Sequence, residues 1–392
     1  MTISSLPLST LPRGVTYARA RLCLGITGVG IAVLLATALL YFRIPSRGLS
    51  MSDTQSVPAA LFRVGLMFAF AQVAFSMYDL MGGAWLVRRR EWASTWLSRW
   101  MRGVTVQWGV WMLSATVLLL AARAGGNPAA IGVFVVVQLL LATTRGRMVR
   151  VIARLPVVPT PERIASAAAQ AGLDASRMQV IDSPDESFVG GWSGLTAGTL
   201  VVPARWAQLP EPALAAMLLR RRLAATSCAH VRRVVGAVVW NTLGFVVSLT
   251  LTGVSSASAG GVITLAAAMT LWAFLGVLLL PTPSRAAVFA LDAAATAQVG
   301  AEPMRAGIEL LDIWQDDEPV RRAGVETVFH PVPGRRNRIE RLVGNADAVK
   351  PWHAHHLARH ALWLSWGACT PLSRAVHCNV GRSALWAMLP GD

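Results

Sequence analysis

Four histidines lie close together near the end of the chain, within the sequence PWHAHHLARH: His353, His355, His356 and His360. The last two are four residues apart, so on a helix both imidazoles could reach one metal ion. A hydrolytic HExxH site also needs a glutamate beside its first histidine as a base, and none is present here. Only Cys369 and Cys378 could supply a third ligand nearby. We therefore predict no metal at this segment, and keep a site at His356 and His360 as the weaker alternative.

Asp79 interrupts an otherwise uncharged window, 64–87. An ionisable side chain within a membrane costs at least about 2.5–3.5 kcal/mol on insertion scales, so it should face a polar partner or water inside the protein. The candidate partners are amide side chains of other uncharged windows: Gln72, Gln107, Gln138 and Asn241. We predict structural hydrogen bonding for Asp79, with a proton or ion pathway as the alternative.

The composition places these residues in a membrane protein. Of the 392 residues, 54% are hydrophobic and only 14% are charged, against about 25% charged in soluble domains. The net charge of +16 follows from the retention of arginine on the cytoplasmic side of a membrane, and no nucleic-acid-binding module accompanies it. We therefore expect no nucleic-acid partner. The four scattered cysteines do not form a disulfide framework.

Six windows are long enough and poor enough in charge to cross a bilayer: 22–42, 64–87, 103–122, 128–144, 234–254 and 261–280. The first is longer than the apolar core of a cleavable signal, so we expect it to be retained as a helix. Arginine is concentrated before the first, after the second and after the fourth window. This pattern predicts an inner-membrane protein with both termini and the large polar segments in the cytoplasm. The near absence of lysine suggests a GC-rich bacterial genome.

Three tryptophans recur every four residues in RRREWASTWLSRWMR, at positions 88–102: Trp92, Trp96 and Trp100. On a helix they would share one face, with arginines on the others. Amphipathic rings and guanidinium groups favour the headgroup level of a membrane. We predict an interfacial helix here, with tryptophans packed on the bundle as the alternative.

Four segments, in this order, resemble parts of one family: 177–206, 209–219, 284–295 and 327–342. They are similar to the paired strands, the helix leading into HExxH, the helix carrying ExxxD and the late His-Pro…Arg-Ile…Leu segment of the membrane zinc metallopeptidases. That family contains HtpX and the CAAX prenyl proteases, and it also has a two-span hairpin between its metal-binding helices. The resemblance covers roughly residues 155–343.

The resemblance implies a mainly α membrane protein with about six transmembrane helices. Its cytoplasmic gluzincin-like α+β peptidase domain would be interrupted by a two-helix membrane hairpin. The expected organisation runs from an N-terminal tail through four membrane helices, a first half-domain, the hairpin, a second half-domain and a histidine-containing tail: 1–21, 22–150, 151–230, 231–281, 282–350 and 351–392.

Carried over residue by residue, the motif positions that would bind zinc and move a proton fall on unsuitable residues. The two histidines fall on Arg220 and Ala224, the catalytic glutamate on Arg221 and the third ligand on Val288. Guanidinium groups are always protonated and cannot coordinate a cation. The aspartate of ExxxD alone is kept, as Asp292. We predict that Arg220 or Arg221 pairs with Asp292 in place of the metal.

The peptide-binding part of the family's cleft corresponds to an edge strand near Phe188, Gly190 and Gly191, although residue 186 is Glu rather than Asn. An edge strand can add an extended peptide through main-chain hydrogen bonds. An equally good interpretation is that this strand belongs to a hairpin with a structural role only.

The resemblance and its missing ligands together predict a catalytically inactive member of this fold, with no cofactor, that binds a polypeptide or a membrane-protein partner. One alternative is an active zinc metallopeptidase with non-standard ligands, such as His356 and His360. A second alternative is a six-span transporter, for which Asp79 is the single candidate residue.

Overall fold

The computed structural model describes residues 16–49, 51–52, 54–86, 93–315, 317–318, 320–342 and 353–389. These divide into two compact units. The bundle unit comprises Met1–Leu141, Val238–Gly276 and Ala361–Ala387; the sheet unit comprises Ala142–Ala237, Val277–His360 and Met388–Asp392. Residues 1–15 lie outside the described residues, and so do 88–92 of the predicted interfacial helix, including Trp92.

Helices dominate the described chain. In chain order, α1–α14 are Tyr17–Tyr41, Ile44–Gly48, Val57–Leu80, Ala93–Ala153, Glu162–Gln170, Glu211–Thr226, Ala229–Thr252, Ala259–Leu279, Pro281–Val299, Ala301–Gln315, Ala323–Phe329, Arg335–Leu342, Leu357–Leu364 and Leu372–Ala375. The strands β1–β4 are Val157–Val158, Met178–Ile181, Gly191–Ser193 and Thr199–Pro203.

Five helices of the described chain are long and apolar enough to cross a membrane. The six predicted windows lie on these five because 103–122 and 128–144 both lie on α4. Non-helical backbone at Gly125 and Gly126 divides that helix into two. Gly126 has a φ of 67°, a conformation that glycine adopts without steric cost. The two-helix hairpin is present as α7 and α8.

The bundle unit has an apolar core in which Phe134 and Phe245 stack with their ring centroids 4.4 Å apart. Residues 361–387 belong to this unit and are almost entirely buried. The prediction from sequence was a histidine-containing C-terminal tail over 351–392.

The sheet unit contains a small mixed sheet with strand order β1-β2-β4-β3. β2 and β4 are parallel, and the two outer pairs are antiparallel. Helices α5, α6, α9 and α10 supply side chains to one apolar core with β2 and β4. The fold class, a mainly helical membrane protein with a small mixed sheet, is therefore confirmed.

Two local signals position the helices of the sheet unit. Pro210 precedes α6, which begins with Glu211 and Pro212, and proline is favoured in the first helical turn because its missing N–H needs no partner there. Gly300 ends α9 with a φ of 85°, which allows the chain to turn directly into α10.

Candidate functional site

Arg220, one of the two buried arginines of α6, faces Asp292 on α9. Arg220 is 1% exposed and Asp292 is 2% exposed. The Nε atom of Arg220 donates to Oδ1 of Asp292 at 2.5 Å. The predicted pairing of Arg220 with Asp292 is confirmed.

Asp292 has a second cationic partner that the sequence analysis missed. Arg338, on α12, donates from Nε to Oδ2 at 2.7 Å and from Nη2 to Oδ1 at 2.8 Å. This two-pronged geometry matches a guanidinium to a carboxylate and is among the stronger forms of charge-assisted hydrogen bond. One carboxylate thus joins α6, α9 and α12 through two arginines.

Arg221, the next residue on α6, points elsewhere. Its guanidinium lies 5.5 Å from the ring centroid of Trp206, and its Nη2 donates to the carbonyl of Val189 at 3.4 Å. Trp192 in turn donates from its indole to the carbonyl of Arg221 at 2.7 Å. Arg221 therefore ties α6 to the segment around β3 rather than to α9.

The two remaining predicted motif positions are apolar and buried. Ala224 lies one turn after Arg220 on α6, and Val288 lies one turn before Asp292 on α9; both are buried. Neither side chain carries an atom that can bind a metal. With two guanidinium groups around Asp292, this arrangement does not fit a zinc ion, because the cations would repel it and cannot act as ligands.

The predicted peptide-binding edge is occupied by side chains of the same unit. β3 pairs with β4 on one side, and carbonyl groups of residues 189–194 accept hydrogen bonds from arginine and histidine. Besides Arg221 on Val189, Arg233 donates to the Trp192 carbonyl at 3.4 Å and His230 to that of Gly194 at 2.8 Å. A peptide strand could add here only after these side chains had moved away.

Phe188, Gly190 and Gly191 have local structural roles. Phe188 is buried. Gly190 has a φ of 70°, and a Cβ atom there would collide with the carbonyl oxygen of Val201. Gly191 opposes the same Val201 in the β3–β4 ladder. The glycines therefore permit the close approach of β3 to β4.

His356 and His360 lie in a buried group of imidazoles and guanidiniums within the sheet unit. Nδ1 of His360 contacts Nη1 of Arg145 at 2.5 Å, and the rings of His355 and His356 are 3.8 Å apart. Burial, together with the charges of Arg145 and Arg233, lowers the pKa of His360 well below its usual value. Among the described residues, no three His, Cys, Asp or Glu side chains are arranged to hold a metal ion.

The bundle unit contains the environment of Asp79. Its carboxylate pairs with Arg374, with the Nε atom at 2.5 Å from Oδ2, and accepts from the Trp100 indole at 2.8 Å. The side-chain oxygens of Gln72 and Gln107 both accept hydrogen bonds from Nη1 of Arg374. The other two expected partners lie elsewhere: Gln138 contacts Thr242, and Asn241 donates to the Ala361 carbonyl.

The fold is similar to that of a solved structure. The crystal structure of S. mikatae Ste24p superposes with a TM-score of 0.67 and 14% sequence identity, over 83% of this chain and 86% of that chain. The chain has a Ste24p-like fold. No protein-family model and no curated protein matches the sequence.

Sequence reasoning found some of these residues and missed others. Arg220 and Asp292 were found because the resemblance places them at the predicted motif positions. Arg338 lies inside the quoted segment 327–342, whose arginine was noted only as a point of resemblance. Arg374 was missed altogether, although an arginine in the largely apolar stretch 361–387 was the natural counterpart of a lone intramembrane aspartate.

Proposed function

We propose that this chain is a catalytically inactive, metallopeptidase-like membrane protein that acts by binding a polypeptide or a membrane-protein partner. The observation that carries the proposal is the Asp292 carboxylate held by both Arg220 and Arg338. The two guanidinium groups beside Asp292 would repel a catalytic cation and cannot coordinate it. The arginine distribution further supports a bacterial inner-membrane location, with both termini and the peptidase-like domain in the cytoplasm.

Two other functions are less well supported. A transporter would need an ionisable group able to exchange partners along a pathway, whereas Asp79 is 1% exposed and is held by Arg374, Trp100 and the Gly381 amide. A metallopeptidase with non-standard ligands would use His356 and His360, but Nδ1 of His360 is in contact with Arg145.

The experiment is a paired measurement on detergent-purified protein. Zinc per chain is determined by elemental analysis after dialysis without chelator, and fluorescein-labelled casein is followed for both binding and cleavage. The proposal expects almost no zinc, with casein bound and left intact. Zinc near one per chain with chelator-sensitive cleavage would establish the active alternative. Casein neither bound nor cleaved would remove polypeptide binding as the function.

A further inference from the structure

The C-terminal segment 361–387 lies inside the bundle unit although it is not a membrane span. It consists of short helical turns and irregular backbone, and three of its tryptophans are completely buried: Trp363, Trp366 and Trp386. Irregular backbone is tolerated within a membrane bundle only where the surrounding protein satisfies its polar groups. The groups that hydrogen-bond this backbone therefore indicate what kind of ligand the bundle can bind.

Side chains of the spanning helices hydrogen-bond the main chain of the segment. Arg21, on α1, donates to the carbonyls of Val380 at 2.9 Å and His377 at 3.3 Å. The Trp96 indole on α4 donates to the Gly381 carbonyl at 2.9 Å. Asn241 on α7 donates to Ala361 at 3.0 Å, and Asp79 accepts from the Gly381 amide at 3.0 Å. Main-chain contacts of this kind recognise a polypeptide irrespective of most of its side chains.

One side chain of the segment supplies a specific anchor. Arg374 is 1% exposed and pairs with Asp79, while its guanidinium also contacts Gln72 and lies 5.8 Å from the Trp100 ring centroid. A carboxylate, an amide and an aromatic face together make a receptor for an arginine side chain.

Glycines on the spanning helices make room for the backbone of the segment. A Cβ atom at Gly25 on α1 would lie 2.5 Å from Cα of His377, and one at Gly103 on α4 would lie 2.7 Å from Cβ of Ser383. Gly82 likewise faces the carbonyl of Val380. The spanning helices thus pack closely on the segment, hydrogen-bond its main chain and provide a pocket for its Arg374 side chain.

We propose that the interior of the bundle unit is a polypeptide-binding site that the chain's own residues 361–387 occupy in cis. Its ligand class is a turn-rich, mainly apolar polypeptide that carries one arginine for Asp79. Occupation in cis would exclude other polypeptides from this interior site, though not from other surfaces of the protein, until the segment is displaced. This inference uses none of the degenerate metal-site positions and stands independently of the proposed pseudopeptidase function.

The test uses the full-length protein in detergent and a fluorescent synthetic peptide with the sequence of residues 361–387. The wild type should bind the peptide weakly, since its own segment fills the site. Arg374→Gln loses the anchor, so the peptide should bind at least about tenfold more tightly, as expected for the loss of roughly 1.4 kcal/mol or more of competition. Adding Asp79→Asn to that variant should abolish the gain, because the incoming arginine loses its receptor.

A second readout uses Cys369, which is buried in the segment beside the Trp111 carbonyl. In a background with the other three cysteines replaced by serine, a maleimide should label Cys369 in Arg374→Gln and spare it in wild type and Arg374→Lys. A folded Arg374→Gln protein that binds no peptide and keeps Cys369 protected would overturn the proposal, since the segment would then be fixed core. If Arg374→Gln fails to fold, the maleimide labelling of Cys369 is compared between Gly25→Ala and Gly30→Ala instead. Equal protection of Cys369 in these two variants would overturn the proposal.

Discussion

The Arg220 guanidinium and the Asp292 carboxylate meet 2.5 Å apart, on helices α6 and α9, with both side chains almost completely buried. The positions are those at which the resemblance would put the first zinc-binding histidine and the aspartate that orients it. Arg220 places an opposite charge beside Asp292, and the ion pair links the two helices.

Asp292→Ala should destabilise the protein strongly. It leaves Arg220 and Arg338 buried without their carboxylate, and stranding buried charge typically costs about 3–5 kcal/mol. The measurement is the apparent Tm in detergent. Glu340→Ala is the control, because its partner Arg336 is on the surface and the Tm should not change measurably. An unchanged Tm in Asp292→Ala would show that the cluster does not stabilise the fold.

A zinc site should be restorable at the degenerate positions. The combined variant Arg220→His, Arg221→Glu, Ala224→His and Val288→Glu supplies three ligands and a base, and Arg338 remains to hold Asp292. We expect about one zinc per chain by elemental analysis. The same variant with Ala224 retained lacks one ligand and should lose most of the metal. Equal zinc content in the two proteins would mean that the motif has been placed in the wrong register.

Gly25→Ala should destabilise the bundle unit, whereas Gly30→Ala on the same helix should not. The added methyl at position 25 meets the backbone of His377, while nothing lies within 4 Å of a Cβ at position 30. Overpacking of this kind costs about 1–3 kcal/mol, and alanine is otherwise the better helix former. The comparison is made by apparent Tm. Equal Tm values for the two variants would contradict the close packing of the C-terminal segment on α1.

The protein should lose stability as the pH falls below about 6.5, the usual pKa of histidine. The lowered pKa of His360 keeps it neutral in the folded state, while the unfolded chain takes up a proton in this range. The unfolded state then binds more protons, so the free energy of unfolding decreases with decreasing pH. The groups that act on His360 are Arg145, Arg233 and His230.

His360→Asn should reduce this acid sensitivity, because asparagine does not titrate and its carbonyl can still accept from Arg145. His353→Asn replaces an exposed histidine of the same segment and should leave the profile unchanged. The measurement is the apparent Tm between about pH 8 and pH 5. If the two variants lose stability in parallel with the wild type, His360 does not contribute to the acid sensitivity.

The sequence by itself determined the membrane class and the two-helix hairpin. Long uncharged windows must be helical in a membrane because their backbone groups have no other partners. Short-range signals, such as Pro210 before α6 and Gly300 after α9, then fix where helices begin and end. The prediction that Arg220 and Arg221 do not bind a metal also rests on residue type alone, since an arginine cannot coordinate a cation wherever it lies.

Only the tertiary structure decided which partners the buried charges have. Asp292 is paired with Arg338 across 46 residues, and Asp79 with Arg374 across 295 residues. Neither local periodicity nor spacing carries information about contacts at such separations. The place of residues 361–387 inside the bundle depended in the same way on long-range packing. In the bundle, glycines and polar side chains from several helices contact this one irregular segment. These contacts cannot be predicted from any single stretch of the sequence.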